Sequence, residues 1–232
     1  YVWLDAPLGY ITSTMEWAEK NGEDWRLWWQ NEDTELLHFI GKDNIVFHCI
    51  IFPILLKEHG DFILPHQVPA NEFMNLEGDK ISTSRNWAVW VKDYMEEFPE
   101  GSDTMRYVLA SIMPEQKDSE FTWTDYKDRI NNELADVLGN FVNRVLVLTR
   151  KYYDGAVPTA NDFTDVDKAV LESLAAAPDK IGDLIERHRY REALLESMNV
   201  ARLGNKYLTE EEPWKLMKTD TARVETIMHI AC

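Results

Sequence analysis

The sequence predicts an α/β nucleotide-binding domain, Rossmann-like with a partial parallel sheet, followed by an all-α helix bundle. Two observations carry that expectation. A short apolar run, Leu36 to Ile40, and a probable strand, Val68 to Leu76, each pass through a Gly-containing turn into a segment of helical pattern, as βα units do. Runs apolar on both faces suit strands of a covered parallel sheet. Beyond Thr124, apolar residues recur at Ile130, Leu134, Val137, Leu138, Phe141, Val142, Val145 and Leu146, a helical period.

Taken in order, Tyr1 to Leu4 reads as a buried strand, Asp5 to Tyr10 as the loop after it, and Ile11 to Lys20 as a helix broken by Asn21-Gly22. Trp25, Trp28 and Trp29 fall at helical spacing and read as packing residues. Leu36 to Ile40 is the second strand. Gly41-Lys42-Asp43 follows it, then a helix from Asn44 to about His59 that Pro53 should kink. Val68 to Leu76 is the third strand, leading into Gly78 to Arg85 and a helix over Asn86 to Phe98. Ser102 reads as the N-cap of a helix through Ile112, ended by Pro114. Glu120 to Trp123 is a short extended link. Thr124 to Tyr153 reads as one helix, stopped at Asp154-Gly155. Thr164 caps another, with Asp165 and Asp167 favourably placed in its first turn. Pro178, Arg189 and Pro213 mark further junctions of an antiparallel bundle. The expected domains are residues 1–118 and 119–232. The chain opens in mid-strand and closes in mid-helix, as a piece of a longer protein would.

Composition narrows the function. Hydrophobic content of 45% excludes disorder, and nine Trp, nine Tyr and nine Phe imply large packed cores or stacking surfaces. The longest apolar run, Cys49 to Leu56, is too short to span a bilayer, so no membrane partner is expected. Two cysteines without a Cys-x-x-Cys give neither a zinc knuckle nor a disulfide framework, which fits a reducing cytoplasm. A net charge of −17 opposes non-specific nucleic-acid binding, so any such contact must rest on a few local groups.

Three loops lie at three predicted strand ends: Asp5 to Tyr10, Gly41 to Asp43, and Gly78 to Arg85. Ligands of open α/β sheets bind beyond such ends. The third loop, with Lys80, Ser82, Thr83, Ser84 and Arg85, suits a phosphate. Lys gives a mobile charge, the hydroxyls donate, and a following helix start offers unpaired N–H groups. A solvated turn has the same composition, so the loop gains meaning only beside the other two.

The segments Tyr1 to Tyr10 (Tyr-Val-Trp-Leu-Asp-Ala-Pro-Leu-Gly-Tyr), Phe39-Ile40-Gly41-Lys42-Asp43 with Phe47-His48, Lys80 to Arg85, and Glu212-Pro213-Trp214 resemble methionyl-tRNA synthetases in order and spacing, over essentially the whole chain. The resemblance implies activation of methionine with ATP to methionyl-adenylate and transfer to tRNA. It implies ATP with Mg²⁺ as the substrate complex. It assigns Trp3, Ala6, Pro7, Tyr10 and His48 to a methionine pocket, where aromatic walls suit a polarisable thioether. It assigns Gly41, Asp43, Met74, Asn75, Leu76 and Lys80 to ATP, with Asp43 on the ribose and residues 74–76 at the adenine. Lys80, Ser82, Thr83, Ser84 and Arg85 become the catalytic loop on the triphosphate. Asn140, Arg144 and Trp214 become anticodon readers, by base-edge hydrogen bonds and stacking.

Two departures stand out. The family's fourth loop position is Lys, and here it is Thr83, which brings no charge. No His-x-Gly-His occurs, and the zinc-bearing insertion is absent, so zinc is expected only in the rest of the parent. The chain is therefore expected to be inactive alone. Two other readings stay open: a different adenylyltransferase of the same nucleotide fold, or a non-catalytic tRNA-binding module.

Overall fold

The computed structural model describes residues 2–232, with the side chains of residues 2–4 left aside. The chain forms two compact units that interleave in sequence: residues 1–74 with 114–119, and residues 75–113 with 120–232.

In the first unit, α1 (Val2–Asn21) is one continuous helix. The strand expected at residues 1–4 and the loop at 5–10 are replaced by helix from Val2 onward; Tyr1 lies outside the described residues. A parallel strand needs a neighbour for its backbone groups, and the two-stranded sheets of this unit pair residues 36–41 with 65–71 instead. A helix satisfies the same groups locally. After α2 (Arg26–Trp29), the apolar run around His38 is split into β1 (Leu36–Leu37) and β2 (Ile40–Gly41). A 3-10 turn (Lys42–Asn44) and a π-helical turn (Phe47–Ile51) lead into α3 (Phe52–His59). Pro53, the expected kink, falls where the π turn gives way to α3. It sits in the first turn of α3, where its missing N–H is tolerated, and the π turn before it absorbs the mismatch. Gly60, at φ 94°, ends α3. Strand β3 (Pro65–Gln67) pairs parallel with β1, and β4 (Ala70–Asn71) pairs parallel with β2. Ile11, Trp29, Phe52 and Leu56 form the core. Trp29 also donates from Nε1 to Thr14 Oγ1 at 2.9 Å. Of the three predicted packing Trp residues, Trp28 is instead exposed, edge-on to Trp17.

The second unit begins with a hairpin. Strands β5 (Met74–Leu76) and β6 (Asp79–Lys80) pair antiparallel, Leu76 opposite Asp79 and Asn75 opposite Lys80. Glu77 and Gly78, at φ 49° and 83°, make the two-residue turn, the left-handed pair that a twisted hairpin demands. The next helix, α4 (Val91–Glu97), starts later than the expected Asn86. Then come α5 (Ser102–Ser111) and β7 (Ser119–Phe121). Gly101, not Ser102, holds the N-cap position of α5. Thr122 caps α6 (Trp123–Arg129) by accepting from Asp125 N at 3.1 Å.

The bundle follows. A π-helical run, Ile130–Gly139, continues into α7 (Asn140–Tyr153). Its wider turns rotate the apolar stripe. Val145 is therefore buried, while Leu138, Val142 and Leu146, assigned to the same stripe by period, are exposed. Asp154 and Gly155 both turn left-handed and stop the helix. Helix α8 (Asp165–Glu186) opens on a capping box between Thr164 and Asp167. Pro178 lies inside it and marks no junction. Helix α9 (Tyr190–Glu211), the short α10 (Pro213–Leu216) and α11 (Thr221–Ala231) complete the unit. Val145, Val170, Tyr207, Leu208, Val224, Ile227, Met228 and Ile230 form the core. Burying Leu208 or Ile227 contributes about 1.5–3 kcal/mol each.

Beneath that core lies an ionic network. The buried Asp167 carboxylate accepts from Tyr207 Oη at 2.6 Å, from Thr164 N at 2.9 Å and from both Arg223 guanidinium nitrogens. Arg223 Nη2 also donates to Glu211 at 2.6 Å. Burial pushes the Asp167 carboxyl upward, but Arg223, Tyr207 and Thr164 outweigh it and hold the carboxyl well below the usual range.

Candidate functional site

In the first unit, α1 and the π turn bring Tyr10 and His48 together. The Tyr10 hydroxyl and His48 Nε2 are 3.0 Å apart, and His48 Nδ1 lies 3.0 Å from the Asn44 carbonyl. A carbonyl only accepts, so Nδ1 carries the proton. In the neutral ring Nε2 then accepts from Tyr10. Phe52 and His38 close the cluster, at ring-centroid distances from Tyr10 of 6.3 and 5.8 Å. The pair thus forms a polar patch in an aromatic wall, with Tyr10 44% exposed above it. Pro7 is buried and Ala6 is exposed on α1; the Trp3 side chain lies outside the described residues.

Asp43 is exposed on the 3-10 turn after β2. Any side chain at Gly41 would meet the Asp43 carboxylate, since a Cβ there would lie 2.7 Å from Oδ1. Lys42, between them, fastens the turn. Its ammonium pairs with Glu72 and, at 2.7 Å, with Asp118, and lies 4.5 Å from the Phe73 ring centroid. Asp118 and Glu72 hold the ammonium above its ordinary pKa. Asp118 Oδ1 also accepts from Phe73 N at 2.9 Å, so the turn is tied to the backbone just before Met74. Asn75 and Leu76 pair with β6, and the Leu76 carbonyl also accepts from Trp87 Nε1 at 2.9 Å.

The loop from Lys80 to Arg85 is not at a strand-to-helix junction. It continues the hairpin: Ser82 and Trp87 exchange two backbone hydrogen bonds of 2.9 Å, and Asn86 N closes a turn on Thr83 O at 3.1 Å. The helix-start N–H groups expected to greet a phosphate are therefore not at this loop. Asn86, left-handed at φ 52°, turns the chain back on itself before any helix can start. Ser82 and Ser84 hydroxyls lie 3.2 Å apart, and Arg85 Nη2 donates to the Lys80 carbonyl at 3.1 Å. Thr83, Ser84 and Arg85 are exposed.

In the bundle, Arg144 and Trp214 meet. The Arg144 guanidinium carbon lies 5.2 Å from the Trp214 ring centroid, and Nη1 donates to Asn205 Oδ1 and Thr209 Oγ1 at 3.3 Å each. Asn140 is exposed one turn before Arg144, on the same face of α7. Trp214 is set in place by Glu212, left-handed at φ 45°, and by Pro213 as the first residue of α10. The helices approach closely here: a side chain at Gly204 of α9 would overlap the Phe141 ring of α7.

The family model described as "tRNA synthetases class I (M)" matches residues 1–146, more than half of the chain. The chain belongs to this family. A second family model, the anticodon binding domain of methionyl tRNA ligase, matches residues 157–232 of this class I synthetase chain. Among curated proteins, the methionine–tRNA ligase of Flavobacterium psychrophilum is 63% identical over 231 residues, covering 100% of this chain and 34% of that protein. The methionine–tRNA ligase of Christiangramia forsetii is 61% identical, over 100% of this chain and 33% of that protein. The chain thus spans about a third of the length of the curated relatives it matches. A solved structure of Mycobacterium tuberculosis methionyl-tRNA synthetase in complex with methionyl-adenylate superposes with a TM-score of 0.85 at 30% identity, covering 100% of this chain and 45% of that one.

Several residues around these sites escape sequence reasoning. Asn205 and Thr209 hold Arg144 from 61 and 65 residues away, and Glu72 and Asp118 hold Lys42 from 30 and 76 away. The one local signal for Asn205 and Thr209 is their i, i+4 spacing on a helix that packs on α7. His38, buried between β1 and β2, reads in sequence as one more residue of an apolar run.

Proposed function

We propose that this class I synthetase chain is the C-terminal part of the catalytic domain, with most of the anticodon bundle, of a methionine–tRNA ligase. The observation that carries the reading is the Tyr10–His48 hydrogen bond inside an aromatic wall. Aromatic faces attract a thioether, and one polar patch distinguishes sulfur from a methylene. Asp43, on a turn braced by Lys42, takes the ribose hydroxyls of ATP, and Met74 to Leu76 border the adenine. Lys80 and Arg85 supply the cations for the triphosphate, with Ser82, Thr83 and Ser84 as hydroxyl donors. Arg85 would have to leave the Lys80 carbonyl to pair with a phosphate. Among the described residues, no group of three or more His, Cys, Asp or Glu could hold a metal ion. Mg²⁺ enters as part of the ATP complex, carried on its phosphates.

Asn140, Arg144 and Trp214 read the anticodon of the tRNA: the indole offers a stacking face, Arg144 adds charge and a planar donor fork, and Asn140 offers an amide for a base edge. No helix among the described residues is long and apolar enough to cross a membrane. A cytoplasmic setting suits the two free thiols, Cys49 and Cys232, and a tRNA substrate.

The test is pyrophosphate exchange with the full-length parent. Exchange that depends on methionine is expected, and none from this chain by itself. Exchange that needs no amino acid would replace the reading with another adenylyltransferase. One feature, Thr83 in the place of the family's Lys, favours a second reading as a non-catalytic tRNA-binding module; tRNA binding without any exchange would decide for it.

A further inference from the structure

His38 belongs to no role described above, yet it sits under the Tyr10–His48 pair. Its side chain is 8% exposed, and its Nε2 is fully buried without a hydrogen-bond partner among the described residues. Its ring packs edge-on to His48, with centroids 5.1 Å apart at 65°, and lies 5.8 Å from the rings of both Tyr10 and Phe52. The backbone on either side is fixed by parallel pairing, with His38 N donating to Gln67 O at 3.1 Å. The ring therefore has little freedom to leave. Burial, and then the neighbouring His48, lower its pKa, which keeps it neutral at neutral pH.

Such an arrangement is costly. An unpartnered polar atom in the interior is destabilising, and Phe or Leu would fill the same volume without that cost. A polar ring maintained against that cost, in contact with both polar groups of the pocket, points to a role in what the pocket distinguishes.

We propose that His38 is a positioning residue that sets the preference for a thioether over its methylene isostere, acting through the Tyr10–His48 pair. The inference rests on the methionine-pocket reading of that pair. From beneath, His38 fixes the tilt of the His48 ring and the site of the Tyr10 hydroxyl.

The experiment measures pyrophosphate exchange by the full-length enzyme with methionine and with norleucine, in which a methylene replaces the sulfur. His38→Phe keeps ring and volume and removes the polar atom. By loosening the Tyr10–His48 hydrogen bond, it should lower the methionine-to-norleucine ratio of kcat/KM by roughly tenfold, chiefly through the methionine KM. The ATP KM should stay unchanged. His38→Gln, which returns a polar group, should recover part of the ratio and also serves if His38→Phe does not fold. An unchanged ratio in soluble His38→Phe, no loss at all in His38→Gln where His38→Phe does not fold, or equal losses with both amino acids and with ATP, would overturn the role and leave His38 a packing residue. Tyr10→Phe separates the two layers. A normal ratio in Tyr10→Phe removes the pocket reading and the role of His38 with it, whereas a lowered ratio there beside a normal one in His38→Phe removes His38 alone.

Discussion

The guanidinium of Arg144 lies over the indole of Trp214, 5.2 Å from the ring centroid, joining a helix face of α7 to the first turn of α10. A base stacking on Trp214 would find one face already backed by a cation that Nη1 ties to Asn205 and Thr209. If the pair binds tRNA as proposed, the ordering cost of both side chains is met in advance.

Trp214→Ala in the full-length enzyme should therefore weaken charging by about 1–3 kcal/mol in kcat/KM for tRNA. Methionine-dependent pyrophosphate exchange should be untouched. Arg144→Lys keeps the charge but loses the planar stack and fork, so it should fall between wild type and Trp214→Ala. Equal loss of exchange and charging would mark the two residues as a structural brace of the bundle.

Lys42 occupies the centre of the turn that carries Asp43. Lys42→Met keeps the stem over Phe73 and removes the ammonium, which leaves Glu72 and Asp118 repelling one another. The expected result is a raised ATP KM in exchange, with the methionine KM unchanged. Asp43→Ala should raise the ATP KM further, as loss of a direct ribose contact does. If the ATP KM stays normal in Asp43→Ala, the ribose assignment fails. A rise confined to Lys42→Met would instead mark a fold defect.

The loop offers the sharpest kinetic test. Thr83 is exposed beside two cations that bracket it in sequence, Lys80 and Arg85. If those two carry the pyrophosphate charge, Thr83→Lys should change kcat less than threefold, well under the roughly tenfold worth of a charge-assisted hydrogen bond. Arg85→Ala should lower kcat by tenfold or more. A large rise in kcat for Thr83→Lys would show that Thr83 limits the native enzyme.

How much of this was legible in sequence depended on the range of the signal. The cap at Thr164, the stop at Asp154-Gly155 and the corner at Glu212-Pro213 are local chemistry, and they fall where the residues say. The βα reading of Leu36 to Gly41 also holds, because parallel pairing needs only an apolar run and a return path. The phosphate loop, expected at a strand-to-helix junction, instead continues a hairpin. Glu77-Gly78 is a two-residue hairpin turn, and an antiparallel return was possible as soon as Leu76 and Asp79 could face each other. The π-helical run at Ile130–Gly139 could not be read from a period of 3.6, since it breaks that period. The residues that hold the sites, Asn205, Thr209, Glu72, Asp118 and His38, are linked to them only through tertiary contact.

The bundle should also carry a defined acid sensitivity. Asp167 is buried and bound by Arg223, Tyr207 and Thr164, and its folded carboxyl titrates below its unfolded one, near 3.9. A depressed carboxyl pKa contributes stability that is fully present above the unfolded value and is lost as pH falls through the folded one. Asp167→Asn removes the charge and leaves Arg223 paired with Glu211 alone. At pH 7 it should cost about 3 kcal/mol, as breaking a buried ion pair does. That difference between wild type and variant should be constant from pH 7 to about 5 and shrink below about 4, where the wild-type carboxyl begins to lose its advantage. Urea denaturation of both proteins across that range measures it. A difference independent of pH down to 2 would assign the loss to packing around Tyr207 rather than to the charge.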